Sequence, residues 1–346
     1  MSTTDAVTKV AVIGAGSWGT AVASLASRNA PTVLWARSKE LAEEIAATHV
    51  NRRYLPEYAL PRRLSVTSSL EQAVRDADVV VMGVPSHGFR DVLVEAVPVI
   101  TAGVPVVSLS KGVEQGSLKR MTEVVVDLLP SHPVGVLTGP NLAREIMAGR
   151  PAASVIAMTD PSSCAALQKT FSAPHFRVYT NPDVIGCEVA GALKNVVALA
   201  AGMTDGMGLG DNAKAAIMTR GLNELARLGI ALGGEPLTFS GLAGMGDLVA
   251  TCMSRQSRNR YVGEELGKGR HIDDVIGEMQ MVAEGVKTCR AVVELAARVN
   301  VEMPIAEQVA EVINGKQTAA DALQALMTRE TGAELEGIVA RMEDGQ

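Results

Sequence analysis

Aromatic residues are scarce in this chain: Phe, Trp and Tyr together make up 3% of its 346 residues. Its cores must therefore be filled by Ala, Val, Leu, Ile and Met, which dominate a hydrophobic share of 47%. Cysteine is scarce too. Cys164, Cys187, Cys252 and Cys289 stand far apart, with no CxxC pair and no flanking histidine pattern. Neither a disulfide framework nor a metal site is expected, and a reducing compartment fits. There is no excess of positive charge, since 32 Lys and Arg face 38 Asp and Glu for a net charge of −6. That excludes the basic field a nucleic-acid partner requires, and leaves an anionic ligand to be caught by a local cluster of Lys and Arg. No run approaches the roughly 18 consecutive apolar residues of a membrane-spanning helix. The first apolar run has no basic segment before it and ends in glycines, so it reads as a strand rather than a signal peptide. A soluble, cytoplasmic protein without membrane insertion is the expectation.

The length suggests two domains. Through residue 182, short apolar runs alternate with helical patterns. The runs are KVAVIG (9–14), TVLWAR (32–37), LSVT (64–67), DVVVMGVP (78–85), PVVSLSKG (105–112) and VGVLTGP (134–140), with ASVIAM (153–158) and FRVYT (176–180) completing the set. Runs of nearly uninterrupted Val, Ile and Leu belong to strands buried on both faces of a parallel sheet, and the alternation implies βαβ units in a doubly wound α/β fold of Rossmann type. From residue 183 to 346 the spacing is helical, broken by glycine-rich turns at 204–212 and 241–247. This half reads as an all-α domain.

Gly14, Gly16 and Gly19 form GxGxxG directly after the first run and directly before the helical pattern TAVASLASR (20–28). In that context the first glycine permits a tight turn and the second lets backbone approach a pyrophosphate. The third allows close helix–strand packing, with phosphates on the helix N-terminus. An NADP or NAD cofactor follows. The second strand ends in Trp35-Ala36-Arg37-Ser38 with no acid to bind a ribose 2′-hydroxyl, which tilts the expectation toward NADP.

Three further features bear charge where a ligand can sit. Lys111, followed by a glycine at a strand's carboxyl end, is placed to meet an anionic or carbonyl group, although a solvated loop lysine reads equally well. Lys194 lies in an otherwise nearly apolar helix (184–202), with Gly191 and Asn195 on its face. A lysine desolvated there has a lowered pKa and can exchange protons near neutrality. The third cluster is 241–266, where Asp247 and Thr251 share a helical face and Ser257 is placed to cap a helix beginning at Arg258. A helix start joined to a guanidinium suits a phosphate.

Together these segments carry a resemblance. GAGSWGTAVA (14–23), SLSKG (108–112), TGPNLARE (138–145), GALKNVVALAAG (191–202), GLAGMGDLVATC (241–252), SRNRYVG (257–263) and MVAEGVKT (281–288) occur in order over essentially the full chain. The chain resembles bacterial NAD(P)-dependent glycerol-3-phosphate dehydrogenases, whose helical domain is like the C-terminal domain of 6-phosphogluconate dehydrogenase. The resemblance implies a dehydrogenase that interconverts dihydroxyacetone phosphate and sn-glycerol 3-phosphate and supplies phospholipid synthesis. It implies Lys194 as proton donor and acceptor, with Lys111, Asn195, Asp247 and Thr251 around it. Gly139, Asn141, Ser257, Arg258 and Asn259 would hold the substrate. Ser17, Trp18, Arg37, Lys111, Ala143, Arg258, Val282 and Glu284 would join the glycines at the dinucleotide. The family often has Ser where this chain has Asn141. Two other functions fit the same residues: a dehydrogenase of another small hydroxy compound, such as a β-hydroxy acid or ketopantoate, and a non-catalytic NADP sensor. A homodimer is a further expectation.

Overall fold

The structure, a computed structural model, describes residue 7 and residues 9–279, 283–330 and 332–334. It divides into two units, one of residues 1–110 and 119–184, the other of residues 111–118 and 185–346. The sequence pattern leaves 111–118 in the first domain. The excursion instead belongs to the helical unit because Val113 and Leu118 are buried in that unit's core.

The first unit is built on one eight-stranded sheet in the order β3-β2-β1-β4-β5-β6-β7-β8. The strands are β1 (Val10–Ile13), β2 (Thr32–Trp35), β3 (Leu64–Thr67), β4 (Val79–Met82), β5 (Val106–Ser108), β6 (Val134–Thr138), β7 (Ala152–Met158) and β8 (Phe176–Asn181). Alternation along β1 sends Val10 and Val12 into one core and Ala11 and Ile13 into the other. With both faces covered, every position is apolar, which is why these strands read as unbroken runs. Aromatic scarcity is offset by placement, since Phe89, Phe171, Phe176 and Phe239 are all fully buried.

Two strands depart from the parallel sheet expected, because β8 runs parallel to β7 and both oppose the other six. β7 runs antiparallel to β6. Between them lies the five-residue helix Ala143–Met147, which rises only about 7 Å. That is too short to carry the chain back along the sheet, so β7 starts near the edge where β6 ends. The strand order reverses between β1 and β4, the switch point outside which doubly wound sheets hold their ligands.

The second unit is helical. Its central helix, Val184–Gly206, is long and apolar enough to cross a membrane, yet 94% of its most apolar window is buried inside the protein, as in a core helix. Around it lie Gly210–Ala231, Asp247–Met253, Arg258–Gly267, Glu284–Arg298, Pro304–Ile313 and Ala319–Met327. Glu224, buried in Gly210–Ala231, accepts the free N–H groups of Ile305 (2.7 Å) and Ala306 (3.2 Å) at the start of Pro304–Ile313.

The central helix meets Arg258–Gly267 through two glycine pairs spaced four apart. A Cβ on Gly202 would lie 2.1 Å from the Arg260 carbonyl oxygen, and one on Gly263 would lie 2.0 Å from that of Leu199. Gly206 and Gly267 are equally close to the opposing backbone. The two helices therefore touch backbone to backbone, which fixes how far the residues at the start of the second stand from Lys194 in the first. Gly263→Ala is expected to cost about 1–3 kcal/mol through overpacking, read as a lowered denaturation midpoint in urea. An unchanged midpoint would show that the contact can relax freely.

Candidate functional site

The glycines after β1 do three different jobs. Gly14 has φ +117, a conformation that L side chains avoid, and a Cβ there would lie 2.5 Å from the Gly83 carbonyl oxygen. A Cβ on Gly19 would lie 2.0 Å from the Gly14 carbonyl oxygen, and one on Gly83 would lie 3.2 Å from the Gly19 Cα. Gly14, Gly19 and Gly83 thus form a closed floor at the switch point. Gly83 escapes sequence reasoning; its only trace is a glycine ending the apolar run of β4. Gly16 differs, because a Cβ on it would meet nothing within 4 Å. No protein atom requires a glycine there, so the open space is what a ligand would use.

Gly16 also caps the helix Ser17–Ala26 without any side-chain hydrogen bond. The first N–H groups of this helix are therefore left for an anion. Trp18, one residue into that helix, stands 6.2 Å from the Phe176 ring, and its buried indole Nε1–H has no partner. A dinucleotide pyrophosphate fits this arrangement: free helix-start donors, an open face above Gly16 and a floor of glycine backbone.

Arg37 follows β2, is exposed, and makes no ion pair among the described residues. The next residue, Ser38, caps the helix Lys39–Thr48 by accepting the Leu41 N–H at 3.1 Å, and its hydroxyl donates to Glu40 at 2.7 Å. The nearest acid is thereby held on the cap. Across the same unit, Gly139 (φ +132) packs against Ser154, and Ala143 opens the short helix after it. Both polar atoms of the Asn141 side chain are buried without a hydrogen-bond partner, as is the Thr138 hydroxyl. An orphaned buried amide costs free energy unless something else satisfies it, so Asn141 marks a place where a ligand belongs.

The charged centre lies wholly in the second unit. Asp247 opens the helix Asp247–Met253 and is 1% exposed. Its Oδ1 accepts from Lys194 Nζ at 2.6 Å and its Oδ2 from Lys111 Nζ at 2.7 Å. Thr251, one turn on, accepts a second Lys194 N–H at 2.6 Å. Two of the three Lys194 donors are spent in holding it, which leaves the third for a substrate oxygen. Asn195, the next residue on the central helix, donates to the Lys111 carbonyl oxygen at 3.4 Å. Burial lowers the Lys194 pKa from 10.5 to about 8; the Asp247 carboxylate opposes that shift and the Lys111 ammonium adds to it. Two cations against one carboxylate leave net positive charge in a chain that is acidic overall.

Ser257 caps the helix Arg258–Gly267 by accepting the Arg260 N–H at 3.2 Å. Asn259 is buried, and its Oδ1 accepts the Gly285 N–H at 3.0 Å, leaving its two N–H groups as what it can offer an anion. Gly285 sits so close that its Cβ would lie 2.8 Å from both Asn259 Oδ1 and the Asn195 carbonyl oxygen. Sequence reasoning missed it. Beside it, burial raises the Glu284 carboxyl pKa, while the charges of Arg258, Lys111 and Lys194 pull it back down. Val282 lies outside the described residues. Among those residues, no three His, Cys, Asp or Glu side chains converge as metal ligands, and all four cysteines are free and buried.

The first unit thus offers an anion-binding helix start on a nucleotide-type sheet, and the second offers a desolvated amine tuned toward neutrality. That division of labour defines a dinucleotide-dependent dehydrogenase.

Comparison with known proteins makes the class specific. Residues 9–164 match the family model for the N-terminus of NAD-dependent glycerol-3-phosphate dehydrogenase, and residues 183–324 match the model for its C-terminus. A glycerol-3-phosphate dehydrogenase [NAD(P)+] of Sphingopyxis alaskensis is 57% identical over 326 residues, covering 94% of this chain and 98% of that one. One of Mycobacterium avium is 49% identical over 330 residues, covering 95% and 97%. The crystal structure of glycerol-3-phosphate dehydrogenase from Coxiella burnetii superposes with a TM-score of 0.89 at 36% identity, covering 93% of this chain and 99% of that one. The chain belongs to the NAD-dependent glycerol-3-phosphate dehydrogenase family.

Two predictions follow from the geometry. Gly16→Ala should leave thermal stability unchanged, because the added methyl meets no protein atom, while weakening NADPH binding about tenfold or more; a variant that binds normally would show the open space to be unused. The second concerns pH. An amine with a pKa of about 8 is mostly ammonium below that pH and mostly free amine above it. Carbonyl reduction, which needs the ammonium, should fall as pH rises through about 8, and alcohol oxidation should gain over the same interval. Asp247→Asn removes the charge that raises this pKa and should move the midpoint to lower pH, whereas Lys111→Met should move it higher. Identical midpoints in wild type and both variants would remove Lys194 as the titrating group.

Proposed function

We propose that this chain interconverts dihydroxyacetone phosphate and sn-glycerol 3-phosphate with NADP or NAD. The observation that carries the proposal is the buried Lys194–Asp247–Lys111 centre, built within one unit as the helix start of Ser257–Arg258–Asn259 is. Gly14, Gly16, Ser17, Trp18 and Gly19 hold the dinucleotide pyrophosphate, with Arg37 and Ala143 of the same unit as further contacts. Arg37 favours a cofactor bearing a 2′-phosphate. When bound, the dinucleotide supplies or accepts the hydride.

The remaining work belongs to side chains. The third N–H of Lys194 reaches the C2 oxygen of the substrate and delivers a proton as negative charge develops there. In the reverse direction the free amine takes that proton back. Asp247 and Thr251 fix the direction of Nζ, and Lys111 adds a second positive charge that favours an oxyanion over a neutral carbonyl. Asn195 holds the Lys111 backbone. Arg258, the N–H groups capped by Ser257 and the Asn259 amide bind the phosphate, which fixes where C2 lies. The enzyme is cytoplasmic, acts as a homodimer, and supplies glycerol 3-phosphate to phospholipid synthesis.

The testing experiment measures oxidation of NADPH and of NADH side by side, with dihydroxyacetone phosphate and with free dihydroxyacetone. NADPH and the phosphorylated ketone are expected to be preferred. Lys194→Ala should lower kcat about 10²–10⁴-fold with NADPH binding intact. Arg258→Ala should chiefly raise KM for the phosphorylated ketone. Equal rates on the two ketones would overturn the phosphate anchor, and wild-type turnover in Lys194→Ala would overturn the proton relay.

A further inference from the structure

The loop that follows the helix Lys39–Thr48 delivers one fully buried amide to the glycine loop. The chain leaves that helix through His49, in the left-handed conformation at φ 52, and reaches Asn51 two residues later. The segment is closed on itself. The Leu60 N–H donates to the His49 carbonyl oxygen at 2.7 Å, the Leu55 N–H donates to that of Asn51 at 2.8 Å, and Val50 bridges Ala59. Leu55, like Asn51, is 0% exposed. Asn51 thus arrives from a rigid support rather than from a free loop.

Its side chain has no donor left over. One Nδ2–H donates to the Ala15 carbonyl oxygen and the other to the Thr20 Oγ1, both at 2.9 Å. Its Oδ1 accepts the Tyr54 N–H at 3.3 Å. Both donors are spent on the arc of GxGxxG, one on the residue before Gly16 and one in the first turn of the helix Ser17–Ala26. The helix's own hydrogen bond from the Thr20 N–H to the Gly16 carbonyl oxygen, at 2.9 Å, closes the same arc.

The Ala15 carbonyl decides the direction of the Gly16 N–H. In a trans peptide the C=O of one residue and the N–H of the next point in opposite directions across one rigid plane. Holding the carbonyl oxygen therefore holds the N–H that follows it, at the one glycine whose surroundings are open. A flexible glycine has no preference of its own for that plane's orientation.

We propose that Asn51 is a positioning residue for the dinucleotide: it locks the Ala15–Gly16 peptide so that the Gly16 N–H is pre-aimed at a phosphate oxygen. It touches neither cofactor nor substrate and acts only through Ala15 and Thr20. The proposal rests on the reading of the glycine loop as the pyrophosphate site. Loss of the lock leaves a peptide that must be ordered each time nucleotide binds, which weakens affinity without touching the proton chemistry.

The test is calorimetric titration of NADPH into the full-length wild type, Asn51→Leu and Leu55→Ala, with thermal melts of each. Asn51→Leu keeps the volume and removes every donor. Its Kd for NADPH should rise about tenfold or more, with KM for dihydroxyacetone phosphate at saturating NADPH unchanged within about twofold. Leu55→Ala loosens the same segment by removing its packing but leaves the Asn51 amide in place. It should lose thermal stability while its Kd stays within about twofold. If Asn51→Leu does not fold, Asn51→Ala gives the same comparison. A folded Asn51 variant with wild-type affinity overturns the positioning role, and so does equal weakening in Leu55→Ala. A wild type that binds neither NADPH nor NADH overturns the glycine-loop reading itself, a separate result.

Discussion

The helical unit depends on one carboxylate. Asp247, almost without solvent, sits between two ammonium groups at 2.6 and 2.7 Å. Burying three charges is costly, by several kcal/mol per ion, and the cost is recovered only where geometry is tight and the remaining donors are satisfied. Thr251 takes a second Lys194 N–H and leaves one donor over, while Lys111 reaches the centre from the excursion 111–118, anchored by Val113 and Leu118 in the helical core. Any shift of the carboxylate would strand a charge, so the arrangement resists drift. A site that must tune one amine within a narrow range needs this kind of rigidity.

The electrostatics also separate local from global charge. The chain carries −6 overall, yet Lys111, Lys194 and Arg258 all act on the Glu284 carboxyl, enough to oppose the effect of its burial. A phosphorylated substrate is thus met by concentrated positive charge near the reacting centre rather than by long-range attraction from the surface. Burial of Lys194 and partial burial of Lys111 keep these two charges less sensitive to salt than exposed pairs are, whereas Arg258 is exposed.

How much could be read in advance depended on how far apart in sequence the interacting groups lie. GxGxxG is local, so its strand, turn and helix were legible together, and so was the Ser257 cap. Lys194 was legible because a single amine in an apolar helix must either be partnered or escape to the surface. The partners themselves were reachable only by resemblance, since Asp247 lies 53 residues from Lys194. Gly83 left only a glycine at the end of an apolar run, and Asn51 left no local trace. The first meets Gly14 across the sheet, and the second reaches Ala15 from 36 residues away. The reversed β7 was hidden for a different reason. Strand direction is set by what the connection can span, and the helix before it is brief. The glycine pairs joining the central helix to Arg258–Gly267 have no sequence signal of their own, because the backbone they meet lies about 60 residues away.

Both tryptophans of the chain, Trp18 and Trp35, fall in the first unit, and the described helical unit holds none. Trp35 lies at the end of β2 with its Nε1–H donated to the Ser68 carbonyl oxygen at 2.9 Å, whereas the Trp18 indole packs near Phe176 and its buried N–H has no partner among the described residues. The protein therefore carries an intrinsic optical label confined to its nucleotide half. Ultraviolet emission from this chain comes chiefly from two indoles in that half, with little background from the half that handles the proton.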